Sequence, residues 1–469
     1  MEPNQFDFGM IGLGVMGSNL LLNMADHGFS VIGYDTNPEK TKLLETSATK
    51  NTTVKGVNSL EEMINALKRP RKLMMLVPAG NPVDSVISNL KPLLQKGDII
   101  IDGGNSHYTD TLRRINELKD AGFHFMGVGI SGGEEGARTG PSIMPGGDKE
   151  AYEEVAPILK AVAAKVMGEP CVDYLGRNAA GHYVKMVHNG IEYAIMQLIS
   201  ECYDLMDHGL QLSNEELHEV FKAWDSGEMQ SYLLEITSII FDKKDDMTSN
   251  YLVDMILDKA EAKGTGKWTS QEGFDLPMPV PNIDTAVMMR NLSSLIDERK
   301  EAHGLYHTSF RKIEIEKEEL VQLLHDALYF ATIISYAQGL AMLTTASAEL
   351  NMDIPLPEVV KVWRGGCIIR SALLGNFKVA YKNPGLKNLL LDPEIAELLQ
   401  QKEPAIQKVI SLAAGNGYPA AGLMASLNYF NAYRRNHLPT NLIQAQRDFF
   451  GAHTYKRVDK GKTFHTEWD

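Results

Sequence analysis

The stretch Phe6-Asp7-Phe8-Gly9-Met10-Ile11-Gly12-Leu13-Gly14-Val15-Met16-Gly17 runs from a short apolar strand straight into a turn of spaced glycines. Ser18 to His27 then reads as a helix with Leu20, Leu21 and Met24 on one side, and Gly28 closes it. Ser30 to Tyr34 is the next strand, ended by Asp35. Each glycine has a separate reason: the first permits a tight turn, the second admits a pyrophosphate, and the third lets helix and strand pack closely. The helix start offers unpaired N–H groups to phosphates. Placed between strand and helix, with an acid after the second strand, the motif predicts a dinucleotide site rather than a bare turn. Its candidate residues are Gly12, Leu13, Gly14, Val15, Met16 and Gly17, then Asp35, Thr36 and Asn37. A carboxylate at Asp35 suits the ribose hydroxyl of NAD and repels the 2'-phosphate of NADP, so NAD is favoured, although Lys40 one turn on still attracts a phosphate.

Further strand–helix units follow. Leu73 to Val77 is a strand with Pro78, Ala79 and Gly80 in its turn. Asp98 to Asp102 is ended by Gly103-Gly104-Asn105-Ser106, and Phe125 to Ile130 by Ser131-Gly132-Gly133. This alternation predicts a mainly parallel sheet. Ligands then sit beyond the carboxyl ends of the strands, where Val77, Pro78, Ala79, Asn105 and Ser131 fall. The Gly132-Gly133 amides suit a carboxylate, or the loop is a bare turn.

After the sheet, Val184-Lys185-Met186-Val187-His188-Asn189-Gly190-Ile191-Glu192-Tyr193 reads as an apolar helix carrying a polar stripe. Lys185, His188, Asn189 and Glu192 stand at i, i+3, i+4 and i+7, one face of a helix. Two turns, roughly 10 Å at ~1.5 Å per residue, separate Lys185 from Glu192. That is too far for a tight ion pair and suits two groups acting at opposite ends of a small polar substrate; a solvated helix face is the plainer alternative.

The chain of 469 residues has a net charge of -14, with 44% hydrophobic and 23% charged residues. That acidity argues against nucleic-acid binding. No secretory start and no long apolar span are visible, so no membrane partner and a cytoplasmic setting are expected. Cys171, Cys202 and Cys367 are widely spaced and support neither a disulfide framework nor a zinc site.

From about Gly181 to Asn436 the pattern is helical and repeats itself. Val184–Asn189 resembles Val321–Asp326, and Glu219–Trp224 resembles Glu358–Trp363. This predicts a duplicated helical unit. Lys185 aligns with Gln322 and Glu192 with Tyr329, so the second copy keeps the apolar frame and loses both titratable ends. Lys263-Gly264-Thr265-Gly266-Lys267-Trp268-Thr269 is a basic turn suited to a phosphate. Arg290, inside an apolar run, serves an anion or a structural ion pair. The aromatic segment Gln444 to Tyr455 predicts a tail that docks on a partner rather than frays.

Together these motifs resemble the 6-phosphogluconate dehydrogenase family, the decarboxylating branch of the beta-hydroxyacid dehydrogenases. The resemblance also rests on Asp102-Gly103-Gly104-Asn105-Ser106, Ser131 to Ala137, Trp363-Arg364-Gly365-Gly366-Cys367 and Arg447 to Tyr455. It implies a Rossmann domain over 1–180, a duplicated all-α domain over 181–436, and a tail over 437–469 that docks on the other subunit of a homodimer. It implies oxidative decarboxylation of 6-phosphogluconate to ribulose 5-phosphate, with NAD or NADP as cofactor and no metal. Lys185 would be the general base and Glu192 the acid. Asn105, Ser131, Gly132, Gly133, His188 and Asn189 would hold the carboxylate and hydroxyls. Tyr193, Lys263, Thr265 and Arg290 would hold the phosphate, joined by Arg447 and His453 from the neighbouring subunit. NADP-dependent members typically carry Asn-Arg-Thr where this chain has Asp35-Thr36-Asn37, and lysine at Pro78. The alternatives are a beta-hydroxyacid dehydrogenase for a shorter substrate, which needs no phosphate clamp or second helical copy, and a non-catalytic NAD-binding protein.

Overall fold

The computed structural model describes residues 5–262, 264–306 and 310–468. Seven strands, β1 (Phe8–Ile11), β2 (Val31–Tyr34), β3 (Val54–Val57), β4 (Lys72–Met75), β5 (Ile99–Asp102), β6 (His124–Ser131) and β7 (Ser142–Gly147), form one sheet in the order β3-β2-β1-β4-β5-β6-β7. All pairs are parallel except β6 with β7. Every residue of β1 and β5 is buried, the mark of strands covered on both faces. The strand order reverses between β1 and β4, opening a crevice at their carboxyl ends.

Two local expectations shift. The helix after the glycines, α1 (Val15–Asp26), begins before Ser18 because Gly14 is already extended and serves as its N-cap. Its first turn faces the crevice, with Val15 57% exposed, so apolar periodicity starts only later. β7 carries no visible strand signal because Pro145, Gly146 and Gly147 occupy it. As an edge strand, it tolerates a proline that would break an interior one.

Tyr108–Asp120 forms α2 behind β5. The helical part opens with α3 (Ala180–Asp204), which lies directly against β6 and β7. The close approach is possible only through glycines. A Cβ at Gly181 would meet the Gly127 carbonyl oxygen at 2.2 Å, and one at Gly146 would meet the Gly181 nitrogen at 2.1 Å. One at Gly129 would lie 2.4 Å from the Lys185 Cβ.

Then come α4 (Asn214–Asp225), α5 (Tyr232–Asp242), α6 (Thr265–Asp275), α7 (Pro281–Ser293), α8 (Lys317–Glu349), α9 (Leu356–Trp363) and α10 (Leu373–Ala380). The duplication is visible as α3-α4-α5 against α8-α9-α10. The copies meet at corresponding residues: Ser231 bridges Ser371, the Tyr232 N–H donates to the Arg370 carbonyl at 3.1 Å, and the Ala372 N–H donates to that of Gln230 at 2.9 Å. Contrary to the expectation of no long apolar span, helix α8 is apolar and long enough to cross a membrane by length and composition. Its apolar run is broken by Ser335 and Gln338, which bond Asn282 of α7, and 94% of its most apolar window is buried in the helical core.

The chain ends in α11 (Thr440–Gly451) and a short hairpin, Tyr455–Lys456 with Thr463–Phe464. Leu442, Ile443, Phe449 and Phe450 of α11 are exposed.

The glycine contacts make a direct prediction. Gly129→Ala is expected to cost about 1–3 kcal/mol through overpacking and to displace Lys185. Gly415→Ala, at an exposed helical glycine with nothing within 4 Å, should be neutral or gain about 0.5–1 kcal/mol. Thermal unfolding of the two variants measures the contrast; equal stability would refute the packing argument.

Candidate active site

The dinucleotide crevice is built by the loop after β1. Gly12 has φ of +92°, and a Cβ there would meet the Leu76 carbonyl oxygen at 2.5 Å. A Cβ at Gly17 would lie 2.0 Å from the Gly12 carbonyl oxygen, whereas one at Gly14 would meet nothing within 4 Å. The first and third glycines are thus fixed by packing, and the second leaves open space for a phosphate. Leu13 is buried beneath the turn, and Val15 and Met16 flank it.

Asp35 ends β2 with both oxygens engaged. One accepts from the Leu13 N–H at 2.8 Å and lies 3.4 Å from the Lys40 ammonium; the other accepts from the Asn37 N–H at 2.9 Å. Burial alone would raise its pKa, but the two amides and Lys40 outweigh it and hold the carboxyl below its ordinary range. Thr36 is exposed, and the Asn37 side chain is committed to capping the next helix through the Glu39 N–H at 2.9 Å. Val77 is half-buried and Pro78 and Ala79 are exposed beyond β4, with Asn105 exposed beyond β5.

Helix α3 carries the stripe. Lys185 and Asn189 are each 7% exposed, His188 is fully buried, and Glu192 is half-buried. Burial pulls the Lys185 pKa down, opposed by the charges of Glu192 and Cys367. Burial pushes the Glu192 pKa up, opposed by Lys185 and Arg290. Burial thus disfavours the charged form of both groups on the same face. Lys185 and Asn189 line a narrow cleft with Asn105, Ser106, His182, Met186, Thr265 and Trp268. His182 sits one turn before Lys185 and extends the stripe, and Trp268 lies in the turn already read as a clamp; neither was singled out from sequence.

His188 is fully enclosed and does not itself line the cleft. Burial, then the Lys185 charge, hold its pKa well below the ordinary value. One ring nitrogen lies 3.2 Å from the Asn189 oxygen, and the other 3.4 Å from the Ser131 hydroxyl. In this structure it stands behind the cleft and fixes its neighbours. Ser131 is buried at the end of β6. Gly132 has φ of +129°, close under the Gly366 carbonyl oxygen, and Gly133 at +63° faces open space.

Thr265 opens α6, after Gly264 in the left-handed region. Lys263 lies outside the described residues. Arg290 stacks on the Tyr193 ring with its guanidinium carbon 3.7 Å from the centroid, and it donates to the Glu261 carbonyl at 2.9 Å. Neither Tyr193 nor Arg290 lines the cleft itself. Arg447 and His453 are exposed on the tail: Arg447 bonds Gln444 at 3.1 Å and His453 packs edge-on to Phe450. They do not line this chain's own cleft.

In the second copy, Gln322 is exposed and Tyr329 is buried beneath the Lys402 ammonium. Glu228, His325 and Asp326 bring ligand-type atoms together, the one such group among the described residues. The Lys402 ammonium sits 2.7 Å from Asp326 and 2.9 Å from Glu228, which makes this an ion-pair cluster.

Two family models cover nearly the whole chain. Residues 7–176 match the NAD binding domain of 6-phosphogluconate dehydrogenase, and residues 181–468 match its C-terminal domain. The chain belongs to the 6-phosphogluconate dehydrogenase family. It is 52% identical over 463 residues to the NADP(+)-dependent, decarboxylating 6-phosphogluconate dehydrogenase of Bacillus subtilis, covering 98% of each chain. It is 49% identical to the decarboxylating enzyme of Escherichia coli K12, again covering 98% of each. The Plasmodium falciparum 6-phosphogluconate dehydrogenase structure, described apo, with its cofactor NADP+ and with its substrate 6-phosphogluconate, superposes with a TM-score of 0.96 at 45% identity. That match covers 98% of this chain and all of the other.

The buried stripe predicts a pH signature. Between the folded and unfolded pKa values of Lys185 the unfolded chain holds the extra proton, so stability rises with pH across that window. Lys185→Met is expected to raise the urea midpoint at pH 7 at unchanged m and to flatten that slope, by about 1.4 kcal/mol per pKa unit of depression. An unaltered midpoint and slope would show Lys185 to be solvated.

Proposed function

We propose that this chain oxidises 6-phospho-D-gluconate at C3 and releases C1 as carbon dioxide, giving D-ribulose 5-phosphate. The full-length likeness to decarboxylating relatives supports the reaction. The observation that carries the residue roles is the opposite displacement of two pKa values on one buried face, Lys185 down and Glu192 up. The bound nicotinamide supplies the hydride acceptor. Neutral Lys185 takes the C3 hydroxyl proton as the C3 hydride departs. The C1–C2 bond then breaks, its electron pair moves to the new C3 carbonyl, and protonated Lys185 returns a proton to that oxygen. Neutral Lys185 takes back the hydroxyl proton from the former C3 as the carbonyl re-forms there, and protonated Glu192 delivers its proton to the former C2, which becomes C1 of ribulose 5-phosphate. Asn105, Ser131, Gly132, Gly133, His188 and Asn189 hold the carboxylate and hydroxyls, with His188 also bonded to Ser131 and Asn189. Tyr193, Lys263, Thr265 and Arg290 hold the phosphate.

NAD is the preferred cofactor in this reading. An ionised Asp35 repels a 2'-phosphate, Thr36 offers no guanidinium, and Asn37 is already committed to a helix cap. Lys40 beside Asp35 pulls the other way. The tail completes a homodimer, with Arg447 and His453 of the partner subunit closing the phosphate end.

Absorbance growth at 340 nm with 6-phosphogluconate, titrating NAD and NADP separately, tests the core of this. A higher kcat/KM with NAD is expected. Asp35→Asn should shift the ratio toward NADP by roughly tenfold, on the scale of ~1 kcal/mol for two charges 4 Å apart in water. Lys185→Met should lose about 10²–10⁴ in kcat, the general-base range; retention of a tenth of the activity would remove it from that role.

Subunit sharing gives a separate test. Lys185→Met and Arg447→Ala homodimers should each be nearly inactive. Mixed and re-associated, they should recover about a quarter of wild-type activity, because a two-fold dimer then holds one intact site in half the molecules. No recovery would place both residues in the same chain's site.

A further inference from the structure

A buried carboxylate outside the catalytic stripe ties together the three elements that frame the cleft. Glu272, on α6, is 6% exposed. Its carboxylate accepts from the Tyr108 hydroxyl at 2.8 Å and from the Tyr183 hydroxyl at 3.3 Å. Tyr108 opens α2, just beyond Asn105. Tyr183 lies on α3, two residues before Lys185. Glu272 itself sits two turns along α6 from Thr265. The two tyrosine rings pack edge to face at 4.9 Å, and His107 packs edge-on against Trp268 at the same distance. Burial, together with Glu272, raises the pKa of both phenols, so they stay protonated and donate.

Such an arrangement is costly to keep without a purpose. A buried carboxylate needs strong donors, and here both come from other elements, one in the sheet domain and one on the catalytic helix. Packing alone would fill the space with an apolar side chain. Two directed hydrogen bonds instead fix α6 in register with the loop after β5 and with α3.

We propose that Glu272 is a positioning residue that latches the β5–α2 loop to α6 and so sets the width of the substrate cleft. Through Tyr108 it holds Asn105 opposite Thr265 and Trp268, and through Tyr183 it holds α6 against the turn that carries Lys185. The effect on catalysis rests on the reaction proposed above; the latch itself does not.

The test uses Glu272→Gln, Tyr108→Phe and their combination in the full chain. Amide hydrogen exchange is followed over residues 103–111 and 264–275, and kcat and KM for 6-phosphogluconate are measured alongside. Each single variant should speed exchange in both segments at least tenfold while β1 and β2 stay protected. Each should raise KM for 6-phosphogluconate at least fivefold, with kcat changed less than threefold. The double variant should be no worse than the poorer single one, since both substitutions act on the same Tyr108–Glu272 bond. Exchange unchanged in either segment, or speeded throughout the chain, would overturn the latch. Kinetic effects that multiply would do the same. If Glu272→Gln fails to fold, Tyr108→Phe, which deletes a single hydroxyl, carries the same expectations. A wild-type protein that does not turn over 6-phosphogluconate would sink the reaction and leave the exchange result to judge the latch.

Discussion

The site depends on one contact, the seating of α3 directly on β6 and β7. Helices ordinarily stand off a sheet by the thickness of their side chains. Here Gly127, Gly129, Gly146 and Gly181 remove that layer, and backbone meets backbone. The helix is thereby held at the carboxyl end of the sheet, where the strand order also places the dinucleotide crevice. Lys185 follows from this seating, because its own Cβ rests where a side chain at Gly129 would be.

Seating the helix this deep also sets its chemistry. Desolvation acts on whichever form of a group is charged, so a single environment lowers a lysine and raises a glutamate. No separate device is needed for the two opposite displacements. The duplicated unit shows the contrast. In α8 the matching positions hold Gln322 and Tyr329, and Lys402 neutralises the adjacent acids. The second copy supplies a longer buried wall for α3 to pack against.

Much of this was legible in the chain because it is local. The glycine turn, Asp35 and the strand ends are signalled within a few residues, and the 6-phosphogluconate dehydrogenase likeness fixed the rest of the plan. The polar stripe was readable from helical spacing, but its depth was not, so the complete enclosure of His188 could not be read from the chain. β7 was hidden by its proline and glycines. Glu272 was invisible because its partners lie 164 and 89 residues away. Only the folded chain brings such a carboxylate to its donors.

The tail has a further consequence. Asp448, fully enclosed in α11, accepts from the Thr454 and Thr466 N–H groups, the Trp468 indole and the His465 ring. These bonds fold the terminal segment back on itself within one chain. A flexible arm would lose its conformational freedom only on meeting a partner, and affinity would fall accordingly. This segment is shaped beforehand, with Phe449 and Phe450 displayed on the last turn of α11. A segment shaped this way presents a preformed surface, and any contact it makes depends on the match of surfaces rather than on the ordering of a strand.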